Sequence, residues 1–360
     1  MKLLGVIKGC DNMKIINYKG ETLETIYEDT MSNETFEKLK KEFYSKPNIE
    51  DIKLEIGNLI HQNGVKMTNI ERMYFRDLMS KTKIYYNKWS IEDVFEHKPL
   101  LDTFYSKTLK NKKVFTSDNL LDNIETAFRL GGKGVASKVA NFPISTVDEI
   151  FEKYNVNNNY YDMSCGWGAR LTSSLKNKVN YYGTDPNYLL VDRLKQYSYD
   201  WQQITGDKIN VDIRCQGSEI FVKEWQNKMG LCFTSPPYFY LEDYKIGNQS
   251  WKQGTSYQDW LDNYLKPTIV NCEKYLIDSG YLIINIKNFD KYNLEQDTKN
   301  ICENNGFTYI ENYILKNISR VKSDGNFNNT NENIMVFMKK GCENLHNPYR
   351  KPKQLDLFDF

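Results

Sequence analysis

Two short stretches concentrate the residues whose types and spacing could do chemistry. The first is DMSCGWGARL, residues 162–171, in which a strand ends in Asp162, a turn holds Gly166 and Gly168, and a helix begins near Ala169. Glycines let a backbone close on a ligand and take turns that other residues resist. The free N–H groups of a helix start then face that ligand. Asp185 ends the next strand, nineteen residues after Gly166. An acidic side chain at that place reaches ribose hydroxyls in nucleotide-binding βαβ units. Leu171 stands where a dinucleotide fingerprint needs its third glycine, and no G-K-[ST] is present. A plain structural turn also explains a lone G-x-G. With Asp162 before it and Asp185 after it, a ligand with a ribose and an amino-acid tail but no pyrophosphate fits better, namely S-adenosylmethionine (SAM). Ser164, within the turn, joins the expected cofactor residues. Ser218, in Gly217-Ser218-Glu219 after the third strand, is expected to flank the adenine, with a helix cap as the other use of that pair.

The second stretch is LCFTSPPYF, residues 231–239. An apolar strand runs into Thr234-Ser235-Pro236-Pro237-Tyr238. Two prolines in a row fix φ and remove two donors, so the strand must stop there. Their carbonyls stay free to accept hydrogen bonds. Ser235 and Tyr238 add a further acceptor and a flat face, at the edge of the sheet where ligands of open α/β folds react.

The elements that must hold these residues follow from periodicity. From 150 to 340, strand candidates at 160–165, 180–185, 211–216, 231–236 and 280–288 alternate with helical stretches at 168–177, 188–203, 219–228 and 256–278. A late pair, FTYIENYILKN and NENIMVFMKK, is divided by a polar loop. Alternation of this kind predicts a mostly parallel sheet covered on both faces, with the late pair as an antiparallel edge hairpin. Residues 1–30 read as a small β unit. Residues 31–130 read as a mainly helical domain, 131–340 as the α/β domain and 341–360 as a flexible tail.

Composition narrows the rest. The 360 residues are 40% hydrophobic and 26% charged, enough apolar material for a sizeable core. The net charge of +1 provides no global positive field, so any surface for nucleic acid must be local. The seven cysteines form no C-x-x-C pair, which argues against a disulfide framework or a zinc knuckle. Cys165, Cys215 and Cys232 lie in strand-like runs and are expected to be small core residues. His61, His97 and His346 are too scattered for a metal site or a catalytic triad. No apolar run reaches the ~20 residues a spanning helix needs. The N-terminus lacks a signal peptide's long apolar region. The chain therefore reads as cytoplasmic, with no membrane partner.

The two stretches together resemble the SAM-dependent amino-methyltransferases that act on DNA. Their hallmark [DNS]-P-P-[YF] is matched by Ser235, Pro236, Pro237 and Tyr238, and their glycine motif by Asp162, Gly166 and Gly168. The resemblance covers roughly residues 140–340. It implies a Rossmann-like methyltransferase fold, with double-stranded DNA as substrate. It also implies that the segment VANFPISTVDEIFEKY, with Phe142, helps hold the methionine end of the cofactor. Trp167 in the glycine loop, and Ser218 where many members carry an acid, depart from the family pattern. In such enzymes the amino group of a base flipped from the duplex donates its N–H groups to the Ser235 hydroxyl and the Pro236 carbonyl, while Tyr238 stacks on the base. S-P-P-Y is commoner among cytosine-N4 enzymes, so cytosine is preferred over adenine N6. The order of the motifs leaves no room for a large recognition domain between them. The N-terminal helices are then the target-recognition element by exclusion.

The chain ends in KPKQLDLFDF. Gln354, Leu355, Asp356, Leu357 and Phe358 resemble the bacterial sliding-clamp-binding pentapeptide, with Leu357 and Phe358 as apolar anchors. That tail favours DNA as substrate, in a phage or bacterial setting such as restriction-modification. Methylation of RNA or a free nucleotide, and a non-catalytic clamp-tethered SAM- or DNA-binding module, are the competing readings.

Overall fold

The computed structural model describes residues 15–16, 22–23, 30–61, 64–65, 68–110, 115–131, 135–139, 141–252, 254, 256–288, 290–321 and 327–347. These fall into two compact units. The first takes the described residues of Met1–Ser45, Ser80–Val139 and Val321–Phe327, and the second those of Lys46–Met79, Ala140–Arg320 and Asn328–Phe360. Of the expected β unit at 1–30, the described residues form one antiparallel pair, Ile15–Ile16 with Thr22–Leu23.

Helices build the first unit. Ser32 caps α1 (Asn33–Phe43) by accepting from the Thr35 N–H at 3.0 Å. Three further helices enter this unit, α4 (Ile91–Glu96), α5 (Lys98–Lys110) and α6 (Leu120–Gly131). A reciprocal Ser90–Asp93 capping box starts α4. Phe36, Phe43, Phe95, Phe104 and Phe128 fill the core between them, and the Phe43 and Phe95 rings stack at 3.9 Å.

The second unit is a Rossmann-like α/β sheet. Its strands are β1 (Asn159–Asp162), β2 (Asn180–Thr184), β3 (Val211–Arg214), β4 (Met229–Thr234), β5 (Leu276–Asn285), β6 (Phe307–Val321) and β7 (Phe327–Lys339). In space they run β6-β7-β5-β4-β1-β2-β3. The strands β1 to β5 pair in parallel, and β7 is antiparallel to β5. The expected mostly parallel sheet with an antiparallel edge is thus the observed one. Helix α7 (Ile144–Tyr154) precedes β1, while α8 (Ala169–Lys176), α9 (Tyr188–Thr205), α11 (Lys266–Tyr275) and α12 (Leu294–Asn304) connect its strands, with short α10 (Tyr257–Trp260) leading into α11. Chain order reverses between β1 and β4, so the loops after these two strands leave the same edge side by side.

Tyrosine does much of the packing. Tyr160, Tyr161, Tyr181 and Tyr197 are fully buried. Their hydroxyls find partners inside: the Phe233 carbonyl at 2.9 Å, Thr184 at 2.9 Å, Asp162 at 2.9 Å and Thr172 at 3.0 Å, respectively.

Three expectations are corrected. Residues 219–228 do not form a helix but hold one 3₁₀ turn, Lys223–Trp225. Trp225 is buried there while Ile220 is 51% exposed, so the apolar spacing serves an irregular connection. Cys165 and Cys232 are buried, but Cys215 lies just past the end of β3 and is exposed. The helical segment also does not end at one boundary. Residues 46–79, with α2 (Ile49–His61) and the wide turn Glu71–Phe75 that runs into α3 (Arg76–Lys81), cluster with the sheet. Arg193 of α9 grips the Asp77 carboxylate through both terminal nitrogens, and the Tyr74 hydroxyl donates to Asp200 at 2.6 Å.

Candidate active site

A cavity of about 400 Å³ opens at the carboxyl ends of β1 and β4. The glycine loop and the S-P-P-Y turn both line it. Of the sequence-expected residues, Phe142, Ser164, Gly166, Asp185, Ser218 and Ser235–Tyr238 face it. Gly168 and Asp162 do not line it. Residues 354–358, the clamp-like pentapeptide, lie outside the described residues.

The glycine loop is built from its backbone. Gly166 and Gly168 sit at φ 58° and 82°, in the left-handed region that favours glycine. Gly168 caps the start of α8, and a Cβ there would lie 2.8 Å from the Phe75 ring. Its absent side chain therefore serves packing rather than ligand approach. Gly166 faces the cavity itself. Between them Trp167 is buried, and its carbonyl accepts from Asn141 Nδ2 at 3.2 Å.

Asp162 is the largest departure from expectation. It is fully buried and accepts from Arg170 Nε at 2.8 Å, the Tyr181 hydroxyl at 2.9 Å, the Thr234 hydroxyl at 3.1 Å and the Ser164 N–H at 3.3 Å. Burial works against the Arg170 charge, and the Asp162 carboxylate beside it overrides that and holds the guanidinium protonated. The Arg170 terminal nitrogen also donates to the Ser164 carbonyl. One buried pair thereby ties the glycine loop to Thr234, the residue just before Ser235.

Asp185 directly follows β2 at the cavity. Burial pushes its carboxyl up to about 7, partly offset by N–H groups from Asn187, at 3.0 Å, and Gly166. The Ser218 hydroxyl is turned onto Thr268 at 2.8 Å. The Ser164 hydroxyl meets Tyr264 at 3.2 Å. Phe142 lies edge-on to Phe233 with ring centroids 5.4 Å apart.

At the S-P-P-Y turn, Ser235 Oγ and the Tyr238 hydroxyl are 3.1 Å apart. The Tyr238 hydroxyl donates to the Asn285 carbonyl at 3.3 Å, and Asn285 Nδ2 donates to Ser235 Oγ at 3.3 Å. Asn285 went unnoticed in the sequence. Its signal was a lone carboxamide at the carboxyl end of the apolar strand GYLIIN. Leu241, Glu242, Tyr244 and Gln249 of the following loop also line the cavity. Phe239, directly after Tyr238, holds a left-handed φ of 53°, which re-aims the chain into this loop.

The lining fits a ligand such as SAM: Asp185 presents a carboxyl group, Gly166 lets the backbone approach closely, and Phe142 and Tyr264 add aromatic walls. Among the described residues no group of His, Cys, Asp and Glu could hold a metal ion, and no helix is long and apolar enough to cross a membrane.

None of the curated proteins matches this chain. Among solved structures, similarity extends to a TehB-like SAM-dependent methyltransferase from Corynebacterium glutamicum, at 14% identity and TM-score 0.35, over 55% of this chain and 86% of that one. It also extends to the N-methyltransferase NodS from Bradyrhizobium japonicum in complex with S-adenosyl-L-homocysteine, at 11% identity and TM-score 0.35, over 55% of this chain and 85% of that one. A family model described as DNA methylase matches residues 229–359, from β4 through the S-P-P-Y turn to the tail. That match, taken with the cavity, supports a methyltransferase of the amino-methylating class that uses SAM.

Proposed function

We propose that this chain transfers a methyl group from SAM to the exocyclic amino group of a flipped base in double-stranded DNA, cytosine N4 in preference to adenine N6. The observation that carries the reading is the meeting of two motifs in one cavity: Gly166 and Asp185 on one side, Ser235–Tyr238 on the other. The DNA methylase match supports DNA as the substrate.

Bound there, SAM supplies an electrophilic methyl group. The protein's part is to make a poor nucleophile into a better one. An exocyclic amino nitrogen is weak because its lone pair is delocalised into the ring. Donation of its two N–H groups to Ser235 Oγ and the Pro236 carbonyl draws the nitrogen toward sp³ geometry and frees the lone pair. No strong base is required, because the nitrogen's proton becomes acidic after attack and passes to solvent, while the pair of the broken S–CH3 bond stays on sulfur in S-adenosylhomocysteine. The hydrogen bonds of Tyr238 to Ser235 and Asn285 set the angle of the ring on which the flipped base stacks. The N-terminal helices serve as the target-recognition element. Gln354, Leu355, Leu357 and Phe358 dock the tail on a sliding clamp, a reading that rests on the sequence alone.

The test is incubation of the protein with labelled SAM and duplex DNA, digestion to nucleosides, and identification of the labelled base. Label in N4-methylcytosine is expected. Label in N6-methyladenine would overturn the choice of base. SAM binding without label in DNA, but with label in RNA or a nucleotide, would overturn the substrate.

A further inference from the structure

Arg170, Asp185, Glu219 and Glu242 are the charged residues that line the cavity, and Glu219 stands beside Ser218 and near Tyr264, away from the loop after the S-P-P-Y turn. Arg170 is the basic member, and its guanidinium is engaged with Asp162 and the Ser164 carbonyl. Asp162, the acid expected to meet the cofactor, is buried behind the glycine loop and neutralised by that arginine. Asp185 is held by the N–H groups of Gly166 and Asn187. Glu242 differs from both. It comes from the loop after the S-P-P-Y turn and lines the cavity. One carboxylate oxygen accepts from the Tyr244 hydroxyl at 2.5 Å. The two lysines of residues 239–252 are engaged elsewhere, Lys245 with Asp243 at 2.8 Å and Lys252 with the Ile246 carbonyl at 2.9 Å.

Its hydrogen-bond partner Tyr244 stands beside the glycine loop and near Asp185. The Tyr244 ring lies 6.0 Å from the Trp167 ring, and the Trp167 carbonyl accepts from Asn141. Asn141 belongs to the segment before α7, next to Phe142. Glu242 therefore reaches the glycine-loop side of the cavity, where a cofactor's amino-acid tail would lie if its ribose meets Asp185. We infer that Glu242 is the counter-charge for the ammonium group of that tail, taking the part that Asp162 has given up to Arg170. This rests on the SAM reading above. Burial raises the Glu242 carboxyl, the sign expected of a carboxylate whose cation arrives with the ligand.

Three ligands separate the possibilities on the full chain by calorimetry: SAM, S-adenosylhomocysteine, and 5′-methylthioadenosine, which has the nucleoside and thioether but no amino-acid tail. Glu242→Gln keeps the shape and an acceptor for Tyr244. It is expected to weaken SAM and S-adenosylhomocysteine alike, by roughly tenfold or more for one charge-assisted contact, and to leave methylthioadenosine within twofold. Should Glu242→Gln fail to fold by thermal melt, Tyr244→Phe is read instead, with a two- to fivefold loss on the first two ligands only. Unchanged affinity for all three overturns the inference. So does a loss confined to SAM, which would assign Glu242 to the sulfonium, or an equal loss for all three. If the unaltered protein bound neither SAM nor S-adenosylhomocysteine, the cofactor reading would fall and this inference with it.

Discussion

Replacing Arg170 by methionine tests whether the Asp162–Arg170 pair holds the site together. The two side chains are 7% and 0% exposed and meet at 2.8 Å. Removing one partner of such a pair leaves an uncompensated buried charge, which costs about 3–5 kcal/mol. Asp162 would keep three donors, from Tyr181, Thr234 and Ser164. They share the charge, so the lower end, about 3 kcal/mol, is expected. Urea unfolding followed by tryptophan fluorescence at pH 8 reads this directly, because Trp201, Trp225 and Trp260 are buried in the sheet unit. Adding Asp162→Asn removes the charge but keeps an acceptor for Tyr181 and Thr234, and should recover about 2 kcal/mol. A loss below about 1 kcal/mol for Arg170→Met, or no recovery in the double variant, would refute the argument.

Ser235→Ala should lower kcat by about 10- to 100-fold through loss of one acceptor for the amino group, with the Kd for SAM within twofold; an unchanged kcat would remove Ser235 from the chemistry. Gly168→Ala meets both a left-handed backbone and the Phe75 ring, and should cost about 2–3 kcal/mol. Gly206→Ala, at φ 75° with open space around it, should cost only about 1 kcal/mol, and equal losses in urea would deny the steric part. SAM binding should tighten as pH rises through about 7, where Asp185 ionises and can accept from ribose, and Asp185→Asn should bind more weakly with a flat profile. Stability responds in the opposite sense. A folded carboxyl raised above its unfolded value loses stability as pH climbs from about 4 to 7, and the asparagine variant should lack that slope.

Local chemistry made the two motifs legible. Consecutive prolines stop a strand whatever surrounds them, and an acid placed nineteen residues beyond Gly166 needs only one intervening helix to reach the same edge. Strand ends were read within a few residues because alternation of apolar runs with amphipathic helices leaves few topologies. What stayed hidden depends on partners distant in the chain. Nothing local at Asp162 tells whether it faces a ligand or an arginine eight residues on. Asn285 looked like part of an apolar run until the fold brought it to Ser235. Residues 219–228 carry a helical spacing, yet Asn227 takes a left-handed φ of 53° and the Val222 N–H is claimed by the Tyr275 hydroxyl at 2.7 Å, so the chain turns instead.

The tyrosines of the sheet also bear on how reliably the strands find one another. An aliphatic strand buried on both faces tolerates a sliding partner, because one methyl group fits much like the next. Here Tyr160 and Tyr161 on β1 and Tyr181 on β2 each carry a hydroxyl with one internal address. A slip of one residue would turn every side chain to the other face and leave those hydroxyls buried without acceptors, at about 1–3 kcal/mol each. Mispaired sheets are thereby penalised several times over. The same strands that lead into the glycine loop and Asp185 are proofread by their own core.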